Sequence, residues 1–482
     1  MTAMLHKIKI KLATIALLLC CSTAFAQNNL LLQSSEVNNL MVQYNADRGS
    51  LTRFYFVPNS PERRQRLQAF TKEYLSKLSA LPFENFSTDG KVDYILLKRK
   101  LDNELRLLDK EETEYNQVSK YFPFADDIYA LEKKRRRGAS LNGEQLAKQL
   151  NELSKAINRS SKALKTEPAI PRPLAIRAEN TIKGLQLALK SVFEFYNGYD
   201  PQFTWWVPVP YKAADSNLTL YSTHLFKKAD TAFMSKDDGS GIIGNPIGRE
   251  ELIRQLQFEM IPCSPEEIIE IANKEFAWCD KEMLKASNEM GFGNDWKAAL
   301  EKVKTTYVPE GKQPEMILGL YDQSIDFIKK HNLVTIPPLA EETWRMNMMS
   351  AKQQLVSPFF LGGEAILIAY PTDGMDQDAK MMSMRGNNPH FSRATVHHEL
   401  IAGHHLQGFM NDRYKAYRNF YTPFWTEGWS LYWEFILWDE GFPRNAEDRV
   451  GMLFWHMHRC ARIIFSLSYH MNKWTPNSAL IF

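Results

Sequence analysis

Cysteine is scarce in this 482-residue chain: five occur, and two of them, Cys20 and Cys21, fall within the first 26 residues. Cys263, Cys279 and Cys460 cannot build a disulfide framework, and a chain this long buries a core without one, so they are expected as packed thiols rather than ligands. Charge of one sign is equally lacking. Lys+Arg 59 against Asp+Glu 56 leaves a net charge of +3, which gives no overall drive toward nucleic acid or acidic lipid. The one concentrated basic run, K-K-R-R-R at residues 133–137, precedes Gly138 and reads as a solvated helix end. Beyond the N-terminal leader no segment approaches the roughly 20 apolar residues that a spanning helix needs. Histidine is rare, 11 in all, and the zinc-peptidase spacing His-Glu-x-x-His is absent, because Ala402 stands four residues after His398.

The leader, M-T-A-M-L-H-K-I-K-I-K followed by a short apolar stretch and A-F-A before Gln27, reads as a signal peptide over residues 1–26. The mature chain is then expected in the periplasm or outside the cell, with no stable membrane span. A lipoprotein signal at Cys20 or Cys21 is the alternative, against which L-L-L-C lacks the small residues expected before a lipidated cysteine. Residues 27–482 are expected as one helical domain, with an N-terminal lobe over about 27–340 and a metal-site lobe over about 341–482.

With 44% hydrophobic and 24% charged residues the chain falls in the ordinary globular class, and its rhythm is helical. Tyr94, Leu97, Leu101, Leu105 and Leu108 make one apolar stripe, and Leu146, Leu150, Leu153 and Ile157 another. Turn residues cluster in S-T-D-G-K at 87–91, P-A-I-P-R-P at 168–173 and D-D-G-S-G at 237–241. The fold class is therefore mainly α. One segment departs from it: Q-L-V-S-P-F-F-L-G-G-E-A-I-L-I-A-Y-P, residues 354–371, reads as a small β-hairpin around Gly362 and Gly363. It is either a cover for the core or an edge for an extended peptide.

The stretch V-H-H-E-L-I-A-G-H-H-L-Q, residues 396–407, holds four histidines and one glutamate. In an undistorted helix His404 would lie about 240° around and roughly 9 Å along from His398, and His405 about 340° around and roughly 10.5 Å along. His404 could not then share one ion with His398, and His405 would have a long reach; Gly403 is the residue that permits the helix to deform and bring a later histidine around. A second stretch is F-W-T-E-G-W-S-L-Y-W-E, residues 424–434. Thr426 reads as an N-cap there, after which Glu427, Leu431 and Glu434 share one helix face. A carboxylate opening so aromatic a helix is costly to bury unless it meets a metal or a cation such as Arg462.

Together, H-H-E-L-I-A-G-H-H-L-Q and T-E-G-W-S-L-Y-W-E resemble the pair of motifs that marks the bacterial domain of unknown function 885 family, predicted zinc metallopeptidases of largely helical architecture. The resemblance extends through M-R-G-N-N-P-H-F-S-R-A-T at 384–395, P-E-E-I-I-E-I at 265–271 and R-C-A-R-I-I-F-S-L-S-Y-H at 459–470. That family in turn looks like the glutamate-zincins. The resemblance implies a large helical metallopeptidase-like domain with the small β-hairpin beside the catalytic helix. It implies one Zn2+ per chain, with His398, His404 and Glu427 as ligands, Glu399 as general base and a peptide substrate. Tyr432 and His470 become candidates for polarising the carbonyl, and Arg462 and His405 for holding the substrate. His405 also remains open as the second histidine ligand.

Two departures qualify the resemblance. Family members usually carry proline where this chain has Ala402, so the bend must rest on Gly403 and tertiary packing. They also run on past W-T-P-N-S-A-L-I-F, residues 474–482, so the chain is expected to be C-terminally truncated. The rival readings are a non-catalytic or decayed exported binding protein of the same fold, and a zinc hydrolase of small-molecule amides or esters.

Overall fold

The computed structural model describes residues 34–229, 238–242, 244–357, 359–418 and 420–482. The expected signal peptide, residues 1–26, lies outside the described residues. The fold is mainly helical, 70% helix against 3% strand. Among the described residues no helix is long and apolar enough to cross a membrane. The chain divides into two compact units between Ile243 and Gly244. The helix over Pro265–Glu289 belongs to the second, where its Cys279, Met283 and Ala286 share a core with Val450, Leu453 and Met457.

The first unit, Ser35–Ile243, contains α1 (Asn38–Phe54), α2 (Pro61–Ser79), α3 (Thr88–Val118), α4 (Ala125–Arg135), α5 (Gly143–Ala163), α6 (Arg172–Tyr196), α7 (Pro201–Trp206) and α8 (Pro208–Lys227). Asn142 opens α5 by accepting from Gln145 N at 2.9 Å, and the stripe of Leu146, Leu150, Leu153 and Ile157 is buried with Leu185 and Leu189 of α6 and Leu218 of α8. Each such burial is worth about 1.5–3 kcal/mol, so the shared core rather than intrinsic propensity holds the helix. Two local expectations change. S-T-D-G-K opens α3 instead of breaking a helix, because Ser87 caps it by accepting from Gly90 N at 3.1 Å. The basic run ends α4 as expected but is only partly solvated: Arg136 is 9% exposed and pairs with Glu132 and Glu62.

The second unit carries α9 (Arg249–Phe258), α10 (Pro265–Glu289), α11 (Trp296–Lys304), α12 (Gln313–Lys330), α13 (Pro338–Thr343), β1 (Arg345–Met348), α14 (Ala351–Gln354), β2 (Ala365–Ile368), α15 (Gln377–Gly386), α16 (Pro389–Glu399), α17 (His404–Asn411), α18 (Pro423–Asp439), α19 (Ala446–His470) and α20 (Pro476–Ile481). The histidine-bearing helix α16 lies between two apolar clusters. Ala394 and Val396 pack with Ile325 and Ile328 of α12, while Phe391 packs with Val450 and Leu453 of α19. Arg393, 1% exposed, fixes this position by donating to Gln323 of α12 at 3.0 Å. Its Nε also lies 3.1 Å from Asp448 of α19, as an ion pair that lacks hydrogen-bond alignment.

The expected β-hairpin is corrected. β2 pairs with β1 in parallel, Arg345 opposite Ala365 and Met348 opposite Ile368. The run before Gly362 contributes only one antiparallel bridge, Leu361 to Leu367. Pro358 in that run has no N–H to give a ladder, so the apolar β2 takes an upstream partner instead. The double glycine nevertheless lies on the end of α16. Gly363 N donates to Glu399 O at 3.2 Å, and a Cβ on Gly362 would stand 2.3 Å from Glu399 Cβ.

Candidate metal centre

Asn388 caps α16 through His390 N and Phe391 N, both at 3.0 Å, and Pro389 takes the first helical position. The helix stops at Glu399. The chain turns through residues 400–403, with the Ile401–Ala402 peptide cis, and restarts as α17 at His404. Gly403 sits where no side chain fits: a Cβ there would stand 1.7 Å from His398 O, and Gly403 N donates to His397 O at 2.9 Å. The break replaces the 240° separation expected of a straight helix by contact. The rings of His398 and His404 lie 4.8 Å apart at 88° to one another.

One face of α18 organises the rest. The helix starts at Pro423, capped by Thr422 accepting from Trp425 N at 3.2 Å, so the cap expected at Thr426 lies one turn too late. Glu427, Ser430 and Glu434 then follow at helical spacing. Glu427 lies 3.5 Å from His398 Nε2 and 3.7 Å from His404 Nε2. Ser430 Oγ holds His404 Nδ1 at 3.0 Å, and Glu434 Oε1 holds His398 Nδ1 at 2.6 Å. Both histidines thus have their Nδ1 engaged and their Nε2 turned to the same carboxylate. Trp429 Nε1 donates to Ala402 O at 2.8 Å and Gln407 Nε2 to Trp425 O at 3.2 Å, which ties the turn and α17 to α18.

Glu399 completes the cluster, its Oε2 3.9 Å from His404 Nε2. Potential ligand atoms of His398, Glu399 and His404 all lie within 4.8 Å of one another. Burial pushes the Glu399 carboxyl up to about 7. Burial works against charge on His398, but its bonds to Glu427 and Glu434 overcome that and push it up to about 9. The pocket therefore favours positive charge between these carboxylates. Two imidazole nitrogens and one carboxylate, with hydrogen-bonded outer partners, are a donor set that fits a divalent ion of the zinc class. Glu427 is the exposed side of the site, its side chain 66% accessible against 7% for His398.

The remaining sequence candidates lie elsewhere. His405 Nε2 donates to Ala340 O, 2.7 Å away, and is turned from the cluster. His397 is fully buried, bonded through Nδ1 to Arg393 O at 2.9 Å, and burial lowers it to about 4, so it is a neutral core histidine. His470 Nδ1 accepts from Ile247 N at 3.4 Å, at the far end of α19, eleven residues or about 16 Å beyond Arg459. Arg462 is exposed, and Tyr432 is 55% exposed with its ring against Trp433. The arginine that reaches the site is Arg459, whose Nη2 donates to Glu434 Oε1 at 2.7 Å. Sequence reasoning missed Ser430 and Arg459 and placed Glu434 on the Glu427 face without giving it a role. The signal for Ser430 and Glu434 was the three- and seven-residue spacing of polar groups after Glu427 on an otherwise aromatic helix. A cavity of about 440 Å³ lined by Phe359, Met382, Arg385, Phe391 and Phe454 does not include the cluster.

Fold and cluster together define a mainly helical protein with a buried centre of two histidines and two glutamates opening beside Glu427. The chain belongs to the bacterial proteins of unknown function grouped as DUF885, whose family model matches residues 56–482. No curated protein matches it. Among solved structures it is similar to a protein from Shewanella oneidensis described as a "putative lipoprotein of unknown function". The TM-score is 0.64 at 15% identity, covering 92% of this chain and 85% of that one, which is a likeness of fold.

Proposed function

We propose that this chain is an exported zinc metallopeptidase that hydrolyses peptide bonds of oligopeptides. The observation that carries the reading is that Glu427 lies 3.5 Å from His398 Nε2 and 3.7 Å from His404 Nε2, with Glu399 3.9 Å from His404 Nε2. His398, His404 and Glu427 would hold the ion. When bound, zinc supplies Lewis acidity to a carbonyl and to water, whose pKa falls toward about 7. Glu399 would accept the proton of the attacking water and return it to the leaving amine. Glu434, held by Arg459, and Ser430 keep the two imidazoles in one tautomer and orientation. Phe424, one turn before Glu427 and 55% exposed, offers apolar contact to a peptide side chain. The leader of residues 1–26 supports export.

Elemental analysis of single variants tests the ligand set. One equivalent of zinc at this centre is expected, lost in His398→Ala, His404→Ala and Glu427→Ala and kept in His397→Ala and His405→Ala. Zinc unchanged in the first three variants would overturn the reading.

A further inference from the structure

A second group of soft ligands lies in the same unit and is used by none of the above. Cys279 of α10 and His456 and Cys460 of α19 place one ligand atom each within 4.8 Å of one another. Both cysteines are free and buried, at 0% and 4% exposure. His456 and Cys460 are four residues apart on α19, so one helix face presents both, and α10 brings Cys279 to them. The imidazole is fixed by rings on two helices: Trp278 lies 5.5 Å and Phe435 4.9 Å from it. Glu275, one turn before Cys279, has its Oε2 3.4 Å from His456 Nε2 and lines the remaining side.

We infer that Cys279, His456 and Cys460 form a second metal site, of the zinc class, that clamps α10 to α19. Two thiolates neutralise a divalent ion, and thiolate with imidazole is the softer donor set, distinct from the carboxylate-rich centre at His398. The clamp has a structural consequence. Cys460 follows Arg459 directly, and Arg459 holds Glu434, so an ion here fixes the part of α19 that supports the first centre.

Cobalt is the probe. The full chain, stripped with chelator, fully reduced and titrated with Co2+, is expected to develop a near-ultraviolet thiolate-to-cobalt charge-transfer band. Cys460→Ser and His456→Ala are expected to lose or strongly weaken it, while Cys263→Ser keeps it. His398→Ala is expected to keep the band while losing the other equivalent of Co2+, which separates this site from the peptidase reading. Absence of the band in the reduced wild-type chain overturns the inference whether or not the variants fold. A band unaffected by both Cys460→Ser and His456→Ala overturns it as well.

Discussion

Replacing Glu434 by glutamine separates the holding of a ligand from the ligand itself. Its carboxylate is 6% exposed, accepts from Arg459 Nη2 at 2.7 Å, and sits 2.6 Å from His398 Nδ1. Glutamine keeps the volume and one acceptor but removes the charge, so His398 loses the partner that raises its basicity and Arg459 is left without its counter-ion. Loss of such an outer partner costs about 10–100-fold in metal affinity, or about 1.4–2.7 kcal/mol. Breaking the buried pair with Arg459 adds a folding cost of up to about 3–5 kcal/mol. The assay is zinc affinity by competition against a chelating dye, with thermal melting of the metal-free and metal-loaded chain beside it. Affinity within twofold of wild type, in a variant that remains folded, would refute the role of Glu434 in orienting His398.

Two other outcomes are expected. Gly362→Ala puts a methyl where 2.3 Å now separates it from Glu399 Cβ, so the base must shift; zinc content should hold and peptide turnover should fall, as measured by kcat on a peptide mixture against metal content. Asp448 is the second: burial opposes its charge, but His390, Arg393 and Arg444 hold its carboxyl down to about 2. Its folded pKa lies below the unfolded value of about 3.9, so its stabilisation is fully present above about pH 4 and is lost as pH falls toward about 2. In denaturant melts across that window Asp448→Asn should be less stable than wild type at pH 6 and should lose less stability on acidification.

Much of the fold was legible because helices announce themselves locally. The Leu146 to Ile157 stripe needs only its own spacing, and all four residues are buried as that spacing implies. The site was legible as composition and as a break: four histidines around Gly403, with Glu427 on a later helix. Which histidine turns inward was not, because that depends on the path of residues 400–403 and on Ser430 and Ala340 as partners for His404 and His405. The hairpin failed for a similar reason, since the parallel partner β1 lies far from β2 in sequence and leaves no local signal. Tyr432, Arg462 and His470 were picked by residue type alone, and type does not say that Arg459 rather than Arg462 faces Glu434. Cys279 and Cys460 looked like isolated packed thiols because only the packing of α10 on α19 brings them together.

The central claim is that Glu399 works beside a metal that it does not bind. Glu399→Gln keeps the side chain's size and cannot take the proton, so the account expects near-normal zinc content and melting temperature with peptide hydrolysis reduced at least about a hundredfold. Zinc retained with hydrolysis undiminished contradicts the base assignment, and zinc lost together with hydrolysis makes Glu399 part of the metal's own coordination.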